Sequence, residues 1–314
     1  MLIKLKWVTA CLFILSSFKL VYAEEGIEQL LAQLYYQKGQ NNLIQVSAIL
    51  EKLNKIEQHR PEVIEERIVY LIETEQFEQA RTDIFRSRTR LNQNKLTSLS
   101  DLLTIYKSHK EQLANARFLV KRKLFNEALI SYSEIFMGKQ PHFSLMLEYW
   151  KVYTSVYPEK RAAVVQELYL LTQLYPTNTY ILLSYYNYQL RINPEQYEIY
   201  DHLERLALNQ AWGAEATRIW QNGLVALQLS RKNKKYFDAY LTRNPQDNYV
   251  KIKFQKQSDE LRRHRQLLKT KEYRAKLKVI ELVEQGAPTL SIIPYLNIAL
   301  PKYKNDQDLI IAQA

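Results

Sequence analysis

Cysteine is almost absent from this sequence. The single one, Cys11, lies in a stretch that reads as a leader. The chain beyond residue 23 can therefore form no disulfide, no thiolate metal site and no cysteine nucleophile. Glycine is scarce, with six residues, and proline is modest, with nine, in a chain rich in Leu, Gln, Glu, Lys and Ala. That balance argues for helices and against turn-dense sandwiches and barrels. Past the leader, no apolar run reaches the roughly 18 residues a spanning helix needs, and no strand-like alternation of barrel type occurs. Phosphate-cradling glycine loops, G-x-S-x-G and His-Glu-x-x-His are missing too. The five histidines, His59, His109, His142, His202 and His264, are not at ligand spacing and read as surface or turn residues. The adjacent carboxylates Glu24 and Glu25, or Glu65 and Glu66, read as solvated helix residues. No catalytic residue, metal ligand or cofactor site is expected, and the chain reads as non-enzymatic.

What is present begins with "MLIKLKWVTACLFILSSFKLVYA". Lys4 and Lys6 precede a short apolar stretch, and small residues at 21 and 23 fit the A-x-A pattern. This is a secretory signal peptide over 1–23, cleaved after Ala23. An uncleaved anchor is the alternative, but the apolar core is short for a span. "VTAC" also fits a lipoprotein box, yet the apolar run follows Cys11 instead of preceding it. Export without disulfides suits the bacterial periplasm.

The mature part shows a recurring device. "FEQARTDIFRS" and "FNEALISYSEI" both place a small residue, Ala80 and Ala128, before a large one four positions on, Ile84 and Tyr132. A small residue where two helices cross lets their backbones approach. "YYQKGQNNLIQVSAILEKL" puts Gly39 at a turn and Val46 at the same packing position, 34 residues before Ala80. Ala163 follows Ala128 by 35 residues, with Pro176 in the next turn, and "EQGAPTLSIIPYLNIAL" offers Gly286, then Ser291, Tyr295 and Ile298. Such periods mark tetratricopeptide (TPR) repeats of about 34 residues. The expected fold is all-α, a TPR-like right-handed superhelical solenoid of antiparallel helix pairs. The step from Ala80 to Ala128 is too long, so 92–112 reads as an irregular helix or insert. The organisation expected is degenerate repeats over 24–230, then a basic helical segment with a further repeat over 231–314.

Charge is uneven. Residues 231–283 hold 16 Lys or Arg against 6 Asp or Glu, and the remainder of the mature chain is slightly acidic. An exported protein meets no genome, so nucleic acid is excluded. The stretch reads as one long or two short solvated helices, with peptidoglycan, acidic headgroups or an acidic partner as the functional alternative. Trp150 and the Tyr185–Tyr186 pair could stack on sugars, though packing between repeats explains them as well. The first helix of each repeat lines the concave face of a solenoid. In that register the groove residues are Tyr35, Lys38, Glu65, Arg117, Lys121 and Tyr186.

A family resemblance joins these readings. "ARFLVKRKLFNEALISYSEIF", with Ala116 and Arg117, Glu148-Tyr149-Trp150, the turn from Pro158 to Arg161, "RIW" at 218–220 and "YLTRNPQDN" at 240–248 resemble, in that order, the N-terminal TPR region of bacterial cellulose synthase operon protein C. The likeness runs from about residue 27 to 310. It implies a periplasmic scaffold of cellulose biosynthesis and export that links the inner-membrane synthase to an outer-membrane pore. The implied partners are cellulose secretion proteins, with a glucan chain or peptidoglycan as ligand. Family members carry a C-terminal barrel that this sequence lacks, so a truncated or split gene product or a free-standing barrel-less form is expected, not membrane-spanning after leader cleavage. A general periplasmic binding module for peptidoglycan or another envelope assembly is the alternative.

Overall fold

The computed structural model describes residues 26–312 apart from Gln140. The leader expected over 1–23 lies outside the described residues. Every regular element among them is helical. The chain divides into two compact units, one through Ile219 and one from Trp220. The boundary expected at 230/231 lies further on, in the loop before α13.

Unit 1 is built from α1 (26–39), α2 (Leu43–Glu57), α3 (Pro61–Glu73), α4 (Phe77–Arg86), α5 (Gln93–Ser108), α6 (Lys110–Lys121), α7 (Phe125–Phe136), α8 (Phe143–Val156), α9 (Arg161–Leu174), α10 (Thr179–Ile192), α11 (Tyr197–Leu206) and the start of α12 (Gly213–Ala226). Helix α3 packs on α4 and α6 on α7, while α2 on α3, α7 on α8 and α9 on α10 continue the stack. This is the TPR-like solenoid of antiparallel helix pairs. Unit 2 holds the rest of α12, then α13 (Lys234–Arg243), α14 (Asn248–Leu267), α15 (Lys271–Glu284), α16 (Thr289–Tyr303) and α17 (Gln307–Ile311). The basic stretch thus forms separate helices, with α14 and α15 broken at Leu268–Thr270.

One turn recurs and sets the packing register. Asn41, Glu75, Lys123 and Gly286 all adopt left-handed backbone, with φ of 56°, 61°, 62° and 64°. The next residue in each case donates its N–H to the carbonyl five positions back, Gln37, Leu71, Leu119 and Leu282. This is a Schellman closure, which satisfies carbonyls left free at a helix end. After the first three turns the new helix begins two residues past the left-handed one, and Val46, Ala80 and Ala128 fall at the crossing, all fully buried. Gly39, read as the turn residue, is instead the last helical residue of α1, and Asn41 takes the left-handed position.

Two register expectations fail for a physical reason. After Gly286 the loop is one residue longer, with Pro288 before Thr289, so Ile292, Leu296 and Ala299 turn inward. Ser291, Tyr295 and Ile298 are exposed. Before α9 a 3-10 turn, Pro158–Lys160, replaces the Schellman closure. Ala163 is then exposed, and Val164, Val165 and Leu168 are buried. One residue of slip rotates a helix face by about 100°, enough to exchange packed and solvated positions. Pro176 is exposed in the turn between Tyr175 and Asn178.

The long step between Ala80 and Ala128 is filled by a regular helix. Asn92 caps α5 by accepting the Lys95 N–H at 2.9 Å. Leu99, Leu102 and Ile105 bury fully as α5 packs on both α3 and α4. A shared core runs from Ile64 on α3 to Val152 on α8. The two ends of unit 1 also meet. The Tyr36 ring lies edge-on to Trp212, with centroids 5.4 Å apart, and Tyr180 flanks the same indole at 6.3 Å. Gly213 follows so closely on the chain's path that a Cβ there would lie 2.7 Å from the Ala207 carbonyl oxygen.

The Schellman turn yields a clean test. A Cβ at Gly286 would meet open space, so its cost is conformational alone. Gly286→Ala is expected to destabilise unit 2 by about 1 kcal/mol, measured by urea denaturation. An unchanged midpoint would show that the left-handed turn does not constrain this repeat.

Candidate functional site

Unit 1 encloses a cleft of about 750 Å³. Its wall carries Tyr35 and Lys38 from α1, Glu73 from α3, Tyr106 from α5, Arg117 and Lys121 from α6, and Glu148 and Lys151 from α8. Four of the residues assigned to the groove, Tyr35, Lys38, Arg117 and Lys121, therefore stand together here. Tyr186 lies elsewhere, nearly buried on α10 beside His202. Glu65 does not line the cleft either. It is buried in the wall behind it, 1% exposed.

Burial demands partners for a carboxylate, and Glu65 has three. Its Oε1 accepts from the Tyr175 hydroxyl at 2.6 Å and stands 3.0 Å from His142 Nε2, while Oε2 accepts from Lys95 Nζ at 2.6 Å. Burial alone would raise its pKa; the hydrogen bond from His142 and the ammonium of Lys95 outweigh that and hold it at about 2. Burial and the Glu65 charge together push the Tyr175 hydroxyl far up. His142, read from sequence as a surface or turn residue, is 1% exposed. It precedes α8 and caps it, Nδ1 facing the Ser144 N–H at 3.4 Å. Next along α3, Glu66 accepts from Lys38 Nζ at 2.5 Å. Glu65 and Glu66 are thus not solvated carboxylates. The signal lay in their setting, "VIEERIVYLI", where Glu65, Glu66 and Arg67 interrupt a run of apolar residues that buries on more than one face.

A second cluster also lines the cleft. Arg117 grips Glu148 with two bonds, Nε to Oε2 at 2.9 Å and Nη2 to Oε1 at 2.8 Å. Arg117 Nη2 also donates to Tyr106 Oη at 3.0 Å, and Tyr132 donates to Glu148 Oε2 at 3.2 Å. One planar guanidinium and one carboxylate thereby fix α5, α6, α7 and α8 to each other. Burial raises Tyr35, Tyr106, Tyr132 and Tyr180, and the pairing carboxylates Glu66 and Glu148 override burial to raise Lys38 and Arg117. General acid–base work needs a group near the working pH; these groups are arranged to hold fixed charge and fixed hydrogen bonds.

No protein-family model matches the chain. It is 24% identical over 231 residues to cellulose synthase operon protein C of Salmonella typhimurium, covering 70% of this chain and 19% of that protein. The chain is similar to the repeat region of the cellulose synthase C protein. The solved structure of the flexible tandem repeat domain of the bacterial cellulose synthase C protein matches with a TM-score of 0.51 at 23% identity, over 75% of this chain and 98% of that one. At that identity the likeness establishes the fold. The chain spans about a fifth of the length of the curated relative.

The residues that carry the resemblance have structural work. Ala116 is fully buried beside Arg117, whose partner is the Glu148 of Glu148-Tyr149-Trp150. Tyr149 stacks on Tyr153 at 5.6 Å and meets Phe136 at 5.3 Å. Of the aromatics considered for sugar stacking, Trp150 is half-buried and Tyr185 packs beside Tyr169 at 6.0 Å and Tyr186 at 5.8 Å. In unit 2, Trp220 of "RIW" lies edge-on to Tyr240 at 5.3 Å. The Tyr240 hydroxyl and Gln221 both donate to Asp247 at 2.7 Å, and Asp247 caps α14. Trp220 of the one motif and Tyr240 of the other therefore pack together within unit 2.

The Glu65 cluster makes unit 1 sensitive to acid. The folded carboxyl is held at about 2 against an ordinary 4.5, so the unfolded chain takes up the proton first. Stability from this group is complete above pH 4.5 and falls as the pH drops toward 2. Glu65→Gln is expected to lose roughly 3 kcal/mol at neutral pH by stranding Lys95, and to flatten the decline of thermal midpoint between pH 4.5 and pH 2. Equal acid slopes in both proteins would remove Glu65 from this role.

Proposed function

We propose that this chain is a non-enzymatic periplasmic scaffold of bacterial cellulose synthesis and export, held between the inner-membrane synthase and an outer-membrane pore. The observation that carries this reading is the similarity over 231 residues to cellulose synthase operon protein C. The TPR-like stacking and the cleft support it, because paired helices around a preformed concavity suit binding, and the lining fixes its charges instead of poising them for proton transfer. The basic and apolar start of the sequence supports export. Deleting the gene from a cellulose-producing strain that carries it should abolish or sharply reduce secreted cellulose while leaving growth intact. Unchanged secretion would refute the cellulose role.

A second reading has one observation behind it. Helix α14 buries only Val250, and its exposed residues include Lys251, Lys256, Arg262, Arg263 and Arg265. A cationic helix of this kind suits an anionic polymer such as peptidoglycan. Purified protein should then co-sediment with cell-wall sacculi at low salt and be released at high salt. Recovery in the supernatant at low salt would eliminate this reading.

A further inference from the structure

We propose that the cleft of unit 1 holds an extended acidic peptide segment of a partner protein, with its carboxylates on Lys121 and Lys151. This rests on the scaffold reading but not on the cellulose assignment.

The charge on the wall is only partly committed. Lys38 is spent on Glu66, and Arg117 on Glu148. Glu73 also lies on the wall, and its charge acts on Lys38. Lys121 at the end of α6 and Lys151 on α8 are exposed and form no ion pair among the described residues. Glu73 leaves those committed groups one negative charge in surplus, so the cleft's net charge of one positive comes from Lys121 and Lys151, exposed on two adjacent repeats. Complementary charge placed there raises association rate and selects the partner's sign.

A second observation points to a ligand with acceptors. Asn178 is 1% exposed and lines the cleft. Its Oδ1 caps α10 by accepting the Ile181 N–H at 3.2 Å, whereas Nδ2 has no hydrogen-bond partner. An unmet buried donor costs about 1–3 kcal/mol, which an incoming carbonyl oxygen would relieve. Peptide backbone presents such an acceptor at every residue. Leu43, Val120 and Phe143 supply apolar wall between the polar points. The volume falls in the usual range for ligand sites, about 300–1,000 Å³.

A glucan chain fits less well. Sugar rings stack on free aromatic faces, and the cleft's tyrosines mostly lack them. Tyr35 and Tyr132 are buried, and Tyr106 is half-buried and bonded to Arg117; Tyr180, 42% exposed, is the tyrosine with an open face.

The test is fluorescence anisotropy on the whole chain with a labelled peptide of alternating Asp and Leu. An alternating Lys and Leu peptide and soluble cello-oligosaccharides serve as comparators. The acidic peptide should bind, weaken as salt rises, and lose about tenfold or more in affinity to the double variant Lys121→Glu, Lys151→Glu. Both lysines are exposed, so the variant's thermal midpoint should match the parent's. Asn178→Asp keeps the cap acceptor but removes the free donor, and should also weaken binding. Equal binding of the basic peptide, an affinity untouched by the double reversal, or displacement by cello-oligosaccharide would each overturn the proposal. The deletion experiment above can fail while this one succeeds, so the two readings are separable.

Discussion

Unit 1 depends on one buried carboxylate. Glu65 is an unusual residue for the middle of an apolar helix, and its three partners come from α5, the cap of α8 and the turn after α9. Stacked repeats usually contact only their neighbours. Here a single side chain reaches residues 30, 77 and 110 positions away, so it ties together elements that nearest-neighbour packing would leave independent. The desolvation of such a group is expensive, and it is tolerated only because every element supplying a partner is in place. One side chain thereby bonds elements of three repeats to each other.

The cleft follows from that constraint. With α3, α5, α8 and the α9–α10 turn fixed, Lys38 is fixed through Glu66, and the Arg117–Glu148 pair lines the same cleft. Trp212, gripped by Tyr36 and Tyr180, brings the last part of unit 1 against its first helix. The concavity is consequently preformed, with its polar groups oriented before any partner arrives. Preorganisation of this kind lowers the ordering cost of binding.

The recurrence of one turn explains how a degenerate sequence keeps a regular fold. Three different residues, Asn41, Glu75 and Lys123, accept a left-handed backbone that glycine would take more easily. Their turns close the preceding helix in the same way and start the next at the same offset, so the crossing residue is set by geometry more than by a consensus. Where the loop gains a residue before α16, or becomes a 3-10 turn before α9, the buried face shifts by one position. The Arg117–Glu148 bond joins two motif residues 31 positions apart, and the Trp220–Tyr240 ring contact joins two others 20 apart.

The sequence by itself determined the all-helical class, the repeat spacing and the small residue at the crossings of α4 and α7. Those are local properties, governed by helix period and by the volume that two backbones leave between them. It also pointed to Tyr35, Lys38, Arg117 and Lys121, because the first helix of each repeat lines the concave side. Only the tertiary structure decided that Glu65 and His142 are buried, that α5 is a regular extra helix, that Ala163 faces solvent, and that Trp212 returns to Tyr36. Each of these depends on contacts between residues far apart in the chain, or on a loop one residue longer. No period in a single sequence reports which distant cation will meet a buried carboxylate.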